Sequence, residues 1–138
     1  MYNVKSIVPT TTVTIAELEK RLSKALDTTA SDVNQRYHNV TRRWRTPVTF
    51  ATETPTTNER TITTQSDIFL YNDEGTRPHR INPRRKRFLH FYWRRQGRWV
   101  FSKGVNHPGT KAKKITHGIA VAIQSVLESN IQSAITEV

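Results

Sequence analysis

Three histidines, His79, His90 and His107, fall in a stretch crowded with arginine and lysine. Imidazoles in a basic cleft could act as acid and base on a phosphodiester, as in a ribonuclease. The same residues have plainer work available. His79 follows Pro78 and His107 precedes Pro108, so each could bond the backbone of its own turn, while His90 sits in an apolar run as an ordinary strand residue. No other catalytic set competes with them. The chain has no GxxxxGK[ST], no GxGxxG and no GxSxG. Its acids lie mostly in the first predicted helix, in the loops before Gly75 and near the end, which offers no convergent pair of carboxylates. With no cysteine and five scattered histidines, disulfides and Cys-based metal sites are excluded and a zinc site has little to draw on. The sequence therefore leads to an expectation of no enzyme activity, no metal and no cofactor.

The stronger chemical signal is affinity for a polyanion. The formal charge is +11 over 138 residues, and the pI is about 10.6. Most of the basic residues of the second half form one block: Arg77, Arg80, Arg84, Arg85, Lys86, Arg87, Arg94, Arg95, Arg98, Lys103, Lys111, Lys113 and Lys114. No Asp or Glu lies between Glu74 and Glu128 to neutralise them. Such a block suits nucleic acid or an acidic protein face. Arg77, Arg80, Arg84, Arg85, Lys86, Arg87, Arg94 and Arg95 are the candidate contacts. Phe88, Phe91, Tyr92, Trp93 and Trp99 interleave with them and could stack on bases. A strand this rich in aromatics is also what a core requires. Phe88, His90 and Tyr92 share one face and Leu89, Phe91 and Trp93 the other. One set should be core, the other part-exposed or at a subunit contact. There is no helix-turn-helix and no RNP motif to support sequence-specific readout.

The elements that must position these residues can be read from spacing. Residues 1–13 read as an extended arm around Pro9. Thr14-Ile15-Ala16-Glu17 fits a capping box. Ile15, Leu18, Leu22, Ala25 and Leu26 then recur at helical steps, with Val33 and Tyr37 continuing the stripe. The expected helix covers 14–38. Val48–Thr52 and Arg60–Thr64 read as the strands of a long polar hairpin, joined through Thr54–Glu59. Ile68–Tyr71 reads as a further strand, stopped at Asn72–Gly75. Arg77–Pro78 and Asn82–Pro83 punctuate an extended loop that carries the Arg84–Arg87 cluster. Phe88–Trp93 and Trp99–Phe101 read as a hairpin turned at Gln96–Gly97. Asn106–Gly109 is a second turn. A last helix over 112–137 carries Ile115, Ile119, Ala122, Ile123, Val126, Leu127, Ile131, Ala134 and Ile135 at helical spacing. The expected fold is a single α+β domain: a mainly antiparallel sheet over 47–103, with a long hairpin, packed by an N-terminal and a C-terminal helix.

Low hydrophobic content, 35%, and a mean hydropathy of −0.65 mean that part of this surface is extension or interface. No run of about 18 apolar residues is present, so no membrane span is expected. The opening MYNVKSIVPTTT lacks the apolar core of a secretory signal, which points to action in the cytoplasm. An arm, a polar hairpin and a basic loop are features suited to a subunit that reaches onto its neighbours. Three function classes thus stand side by side: an assembly subunit, a non-sequence-specific nucleic-acid-binding protein, and a ribonuclease-like enzyme.

From Ile68 onward the order of motifs resembles a known family. Asp73-Glu74-Gly75-Thr76-Arg77-Pro78-His79, then Ile81 and Pro83, then Phe88–Phe91, Val100-Phe101 and Val105-Asn106-His107-Pro108-Gly109-Thr110-Lys111 are similar to the neck and tail-completion proteins of long-tailed bacteriophages, the tail-component family of lambdoid phages. The N-terminal helix agrees in position but not by motif. Ala112-Lys113-Lys114-Ile115 departs from the family, whose last helix starts with apolar and aromatic residues. The resemblance implies a tail-terminator-like α+β fold and a structural role in the virion, joining head to tail. It implies a homo-oligomeric ring, of about six or twelve subunits, around the DNA channel. The implied partners are the portal, adaptor or stopper and tail-tube proteins and the DNA of the channel, with no membrane. Assembly would take place in the cytoplasm of a bacterial host. No catalytic residue is implied. Gly75, Pro78, His79, His107, Pro108 and Gly109 would shape the turns, with Gly109 supplying a positive φ.

Overall fold

The structure is a computed structural model and describes residues 13–136. The predicted arm, residues 1–13, falls almost wholly outside them. The fold is α+β, with three helices and antiparallel strands, and the N- and C-terminal helices flank the strands in the chain. The chain divides into two compact units. One takes in the chain up to Ser66 and again from Thr116, and the other is Asp67–Ile115.

In the first unit α1 spans Ile15–Thr41 and begins at the Thr14 cap, with half of the expected capping box formed. The Glu17 N–H donates to Thr14 Oγ1 at 3.2 Å, and the Glu17 carboxylate accepts from Arg21 Nη2 at 2.8 Å. The helix runs three residues past the expected end, through Val40 and Thr41. Its threonines are accommodated by folding their hydroxyls back on the helix: Thr29 Oγ1 donates to the Ala25 carbonyl at 2.8 Å and Thr41 Oγ1 to that of Tyr37 at 3.0 Å. Both are buried, so the bonds remove the desolvation cost of the hydroxyls. β1 (Ala51–Thr56) and β2 (Glu59–Thr63) form the polar hairpin, but β1 shares only Ala51 and Thr52 with the expected strand and runs into the expected loop, so that the turn is confined to Thr57-Asn58. Pro55 lies where the register slips between Glu53 and Thr56, since a residue without an N–H can sit at such an irregularity. Arg60 ties this hairpin to α1. Its guanidinium meets Asp27 Oδ1 at 2.6 Å and Ser23 Oγ at 2.7 Å.

α3 (Ile115–Thr136) closes the first unit against α1. Asn130 Nδ2 donates to Thr29 Oγ1 at 2.9 Å, and the Tyr37 hydroxyl to Thr116 Oγ1 at 3.2 Å. Tyr37 also stacks on Phe50, ring centres 4.5 Å apart. Of the predicted apolar stripe, Ile119 is buried and Ile115, Ile123, Val126, Leu127, Ile131 and Ala134 are half-buried, while Ala122 and Ile135 are exposed. The core is thin. Among the described residues the buried apolar side chains are Ala25, Ala30, Tyr37, Phe69 and Ile119.

The second unit corrects one expectation. Ile68–Tyr71 is not a strand: Asp67–Glu74 is a helix, α2, with Phe69 buried. A run of four apolar residues fits either structure, and its ends decide. Asp67 places a negative charge in the first turn, where the helix dipole favours it. Gly75 closes the other end at φ +78, its N–H on the Tyr71 carbonyl at 2.9 Å. The Lys113 and Lys114 N–H groups then satisfy the Asn72 and Asp73 carbonyls. β3 (His79–Ile81) pairs with β6 (Val105–His107), and β4 (Leu89–Trp93) pairs with β5 (Arg98–Ser102). His79–Ile81, expected inside a loop, is thus a short strand. All the strands pair antiparallel, in three two-stranded ladders rather than one sheet.

Candidate functional site

The two Gly/Pro/His turns, separate in sequence, meet in the second unit. Thr76 and Thr110 exchange backbone bonds, at 2.9 and 3.2 Å, and Thr76 Oγ1 accepts a further bond from the Thr110 N–H at 2.9 Å. From there the register runs on through His79↔His107, Arg80↔Asn106 and Ile81↔Val105. The backbones approach so closely that both glycines are required. A Cβ on Gly75 would lie 2.7 Å from the Thr110 oxygen, and one on Gly109 would collide with the Thr76 carbonyl. Gly109 has the positive φ that the sequence suggested, +86.

His79 and His107 stack across this ladder with ring centres 5.0 Å apart. Their hydrogen bonds fix opposite tautomers. Nδ1 of His79 faces the Arg77 carbonyl at 2.8 Å, so it carries the proton and donates. Nδ1 of His107 accepts from the Gly109 N–H at 3.0 Å, so its proton is on Nε2 when the ring is neutral. Each imidazole therefore holds its own turn. Together with Tyr71, Thr76, Ile81 and Thr110 they line a recess of about 440 Å³. His90 is on a different ladder, β4, and does not join them. Among the described residues no group of three or more His, Cys, Asp or Glu could hold a metal ion.

The candidate basic residues fall into three settings. Arg77 and Arg80 belong to the paired turns. Arg77 is exposed just before β3, and Arg80 on β3 is held by Asn82 Oδ1 at 3.2 Å and Asn106 Oδ1 at 3.1 Å. Neutral partners leave its charge uncompensated but hold the guanidinium over Gly104, where a side chain would displace it. Arg84, Arg85, Lys86 and Arg87 are all exposed on the bend between β3 and β4. Arg94 and Arg95 are exposed in the turn between β4 and β5, which Gly97 closes at φ +62.

The third feature is an aromatic face on the β4–β5 hairpin. The register sets His90 opposite Phe101 and Tyr92 opposite Trp99, all four on one side. His90 and Phe101 stack at 4.3 Å with their planes 4° apart. Trp99 tilts against His90 at 4.8 Å and meets Tyr92 edge-on at 5.6 Å. These rings lie outside: Tyr92 is 50% exposed, Trp99 63% and Phe101 69%. On the opposite side, Leu89, Phe91, Val100 and Ser102 are half-buried. The expected core face is present only in part: Leu89 and Phe91 are half-buried, but Trp93 on the same side is 41% exposed, and the His90–Tyr92 side is open. No family model, no curated protein and no solved structure matches the chain. Its own geometry carries the functional reading.

The membership of that face was only half visible in the sequence. Phe88, His90 and Tyr92 follow from alternation along one strand. Trp99 and Phe101 required the register, and the signal for it was the turn. A loop over Arg94–Gly97 sets Trp93 against Arg98 and so places Trp99 and Phe101 beside Tyr92 and His90.

Proposed function

We propose that this chain is a structural virion protein of a phage neck, a ring subunit that joins or completes the head–tail connection around the DNA channel. The observation that carries this reading is the interlocking of the two turns. The residues quoted for the family resemblance, Gly75–His79 and Val105–Lys111, belong to one ladder with a single register. The resemblance is thus to one structural unit, in which each motif explains the other's glycine. Two further features support an assembly role. The described core is thin, and large apolar side chains lie exposed, as in a subunit that completes its burial against neighbours. The basic side chains of the second unit have no acid of their own between Glu74 and Glu128, which suits an acidic rim on the portal, adaptor, stopper or tail-tube ring, or DNA in the channel.

The mechanism is assembly by surface complementarity. The rigid paired turns hold the Arg84–Arg87 bend at one end of β3, and the charge of that bend draws the subunit onto its partner ring. No helix among the described residues is long and apolar enough to cross a membrane, and none is needed for such a role. The test is made in a phage that encodes the chain. Replacing Arg84, Arg85, Lys86 and Arg87 by Ser leaves filled heads and finished tails unjoined, as counted by electron microscopy, while the purified variant keeps the helical circular dichroism of the parent. Joined, infectious particles from a phage lacking the whole gene would contradict the function. Joined particles carrying only the substituted protein would contradict the role of the bend.

A further inference from the structure

We infer that the aromatic face of the β4–β5 hairpin is the surface by which one copy of this chain docks on the next, head to tail. The inference rests on the ring reading above and names the contact that builds the ring. Tyr92, Trp99 and Phe101 together leave roughly 400 Å² of apolar ring surface in solvent, taking about 200 Å² for a whole aromatic side chain. One partner contributes about 800 Å² to a standard protein interface. The face therefore supplies about half of one side, as a compact aromatic centre of the kind that dominates binding.

Charge selects the occupant. Arg94, Arg95 and Arg98 surround the end of the hairpin, and among the described residues no acid pairs with them; Arg98 bonds the neutral Gln96 Oε1 at 2.8 Å. Two copies of this face cannot meet symmetrically, because like charges would be pressed together. Unpaired acids are available, among basic residues, on the other unit of the same chain. Glu19 on α1, Glu53 on β1 and Glu59 on β2 are exposed, and none has an ion pair among the described residues. A basic aromatic face on one unit and exposed acids on the other make a heterologous contact, the kind that closes into a ring. A single strand of nucleic acid would also offer negative charge. It requires open ring faces, spaced for bases. Here the rings pack on one another, with His90 flat on Phe101 and Trp99 against both His90 and Tyr92, so no gap for a base lies between them. Their outer sides are open apolar surface, and the experiment below separates a second copy from a strand laid across them.

The experiment compares the full chain with two variants by sedimentation velocity over a concentration series. Trp99→Ser with Phe101→Ser removes the centre of the face, and Arg94→Glu with Arg95→Glu reverses its rim without touching the stacked rings. The wild type forms a closed oligomer. The first variant weakens self-association by roughly a hundred-fold or more and the second by at least about ten-fold, while both keep the parent's circular dichroism. Either variant assembling like the wild type would overturn the inference and leave the ring reading standing. A wild type that stays monomeric throughout would overturn both. A wild type that gains mass only on a single-stranded oligonucleotide, with Trp99→Ser/Phe101→Ser losing it, would assign the face to nucleic acid instead.

Discussion

Phe69 apart, the two units of this chain treat their aromatic residues in opposite ways. In the first, Tyr37 is 8% exposed, stacked on Phe50 and bonded through its hydroxyl to Thr116. In the second, Tyr92 has no such cover and stands among rings that face solvent. The ways the two units hold together differ accordingly. Helices α1 and α3 pack side by side, with threonine and asparagine hydroxyl and amide groups satisfied at the seam. The second unit is held by backbone: two turns that exchange hydrogen bonds, and a helix whose last carbonyls are taken by Gly75, Lys113 and Lys114. The lesson is that the first unit joins its helices through buried side chains, whereas the second fixes its backbone and, Phe69 apart, leaves most of its aromatic side chains available.

That contrast can be broken most severely at Tyr37. Tyr37→Ala removes a buried ring, a stack and a hydrogen bond, and should cost about 3–5 kcal/mol. Tyr92→Ala should cost less than about 1 kcal/mol, the worth of a cross-strand aromatic pair. Urea unfolding of the two variants side by side measures the difference; equal losses would mean that the hairpin face is core after all.

The next effect belongs to the backbone-held unit. Gly109→Ala forces a Cβ onto the Thr76 carbonyl and an L-residue to φ +86, for a loss of roughly 2–4 kcal/mol. Hydrogen exchange should show the loss at Thr76, Thr110 and the β3–β6 amides while α1 stays protected. Uniform deprotection would show that the two units unfold as one.

Arg60→Ala comes third, at roughly 2–3 kcal/mol. The Arg60 side chain is 6% exposed, and its loss leaves a gap and deprives the part-buried Ser23 carbonyl and hydroxyl of their donor. Exchange should quicken in β1 and β2 and leave the second unit unchanged. The smallest change has the opposite sign. Gly118 has open space around a would-be Cβ, so Gly118→Ala should raise stability by about 0.5–1 kcal/mol, read as a higher urea midpoint. A loss there would mean that α3 has a close neighbour at this point.

What could be read beforehand follows the same division. Both long helices came through from periodicity and the Thr14 cap, because side-chain burial leaves a 3.6-residue signature. The β4–β5 hairpin came through because Gly97 and the flanking aromatics agree. Ile68–Tyr71 did not, because four apolar residues carry no period and the deciding contacts, from Lys113 and Lys114, come from more than forty positions away. The meeting of Gly75 and Gly109 was equally hidden. Each motif advertised a turn, and nothing local says that two turns will pair. Within the candidate site, Arg84–Arg87 was legible as an exposed charge run. The neutral partners of Arg80 were not, since Asn106 reaches it only through the β3–β6 register.

The central claim is assembly, and the most direct test of it is solution mass. Light scattering on the purified chain, at low and high salt and with and without duplex DNA, separates the readings in one series. The ring account predicts a closed oligomer whose mass is indifferent to DNA. A monomer that gains mass only with DNA, and loses it as salt rises, would contradict that account and make this a nucleic-acid-binding protein.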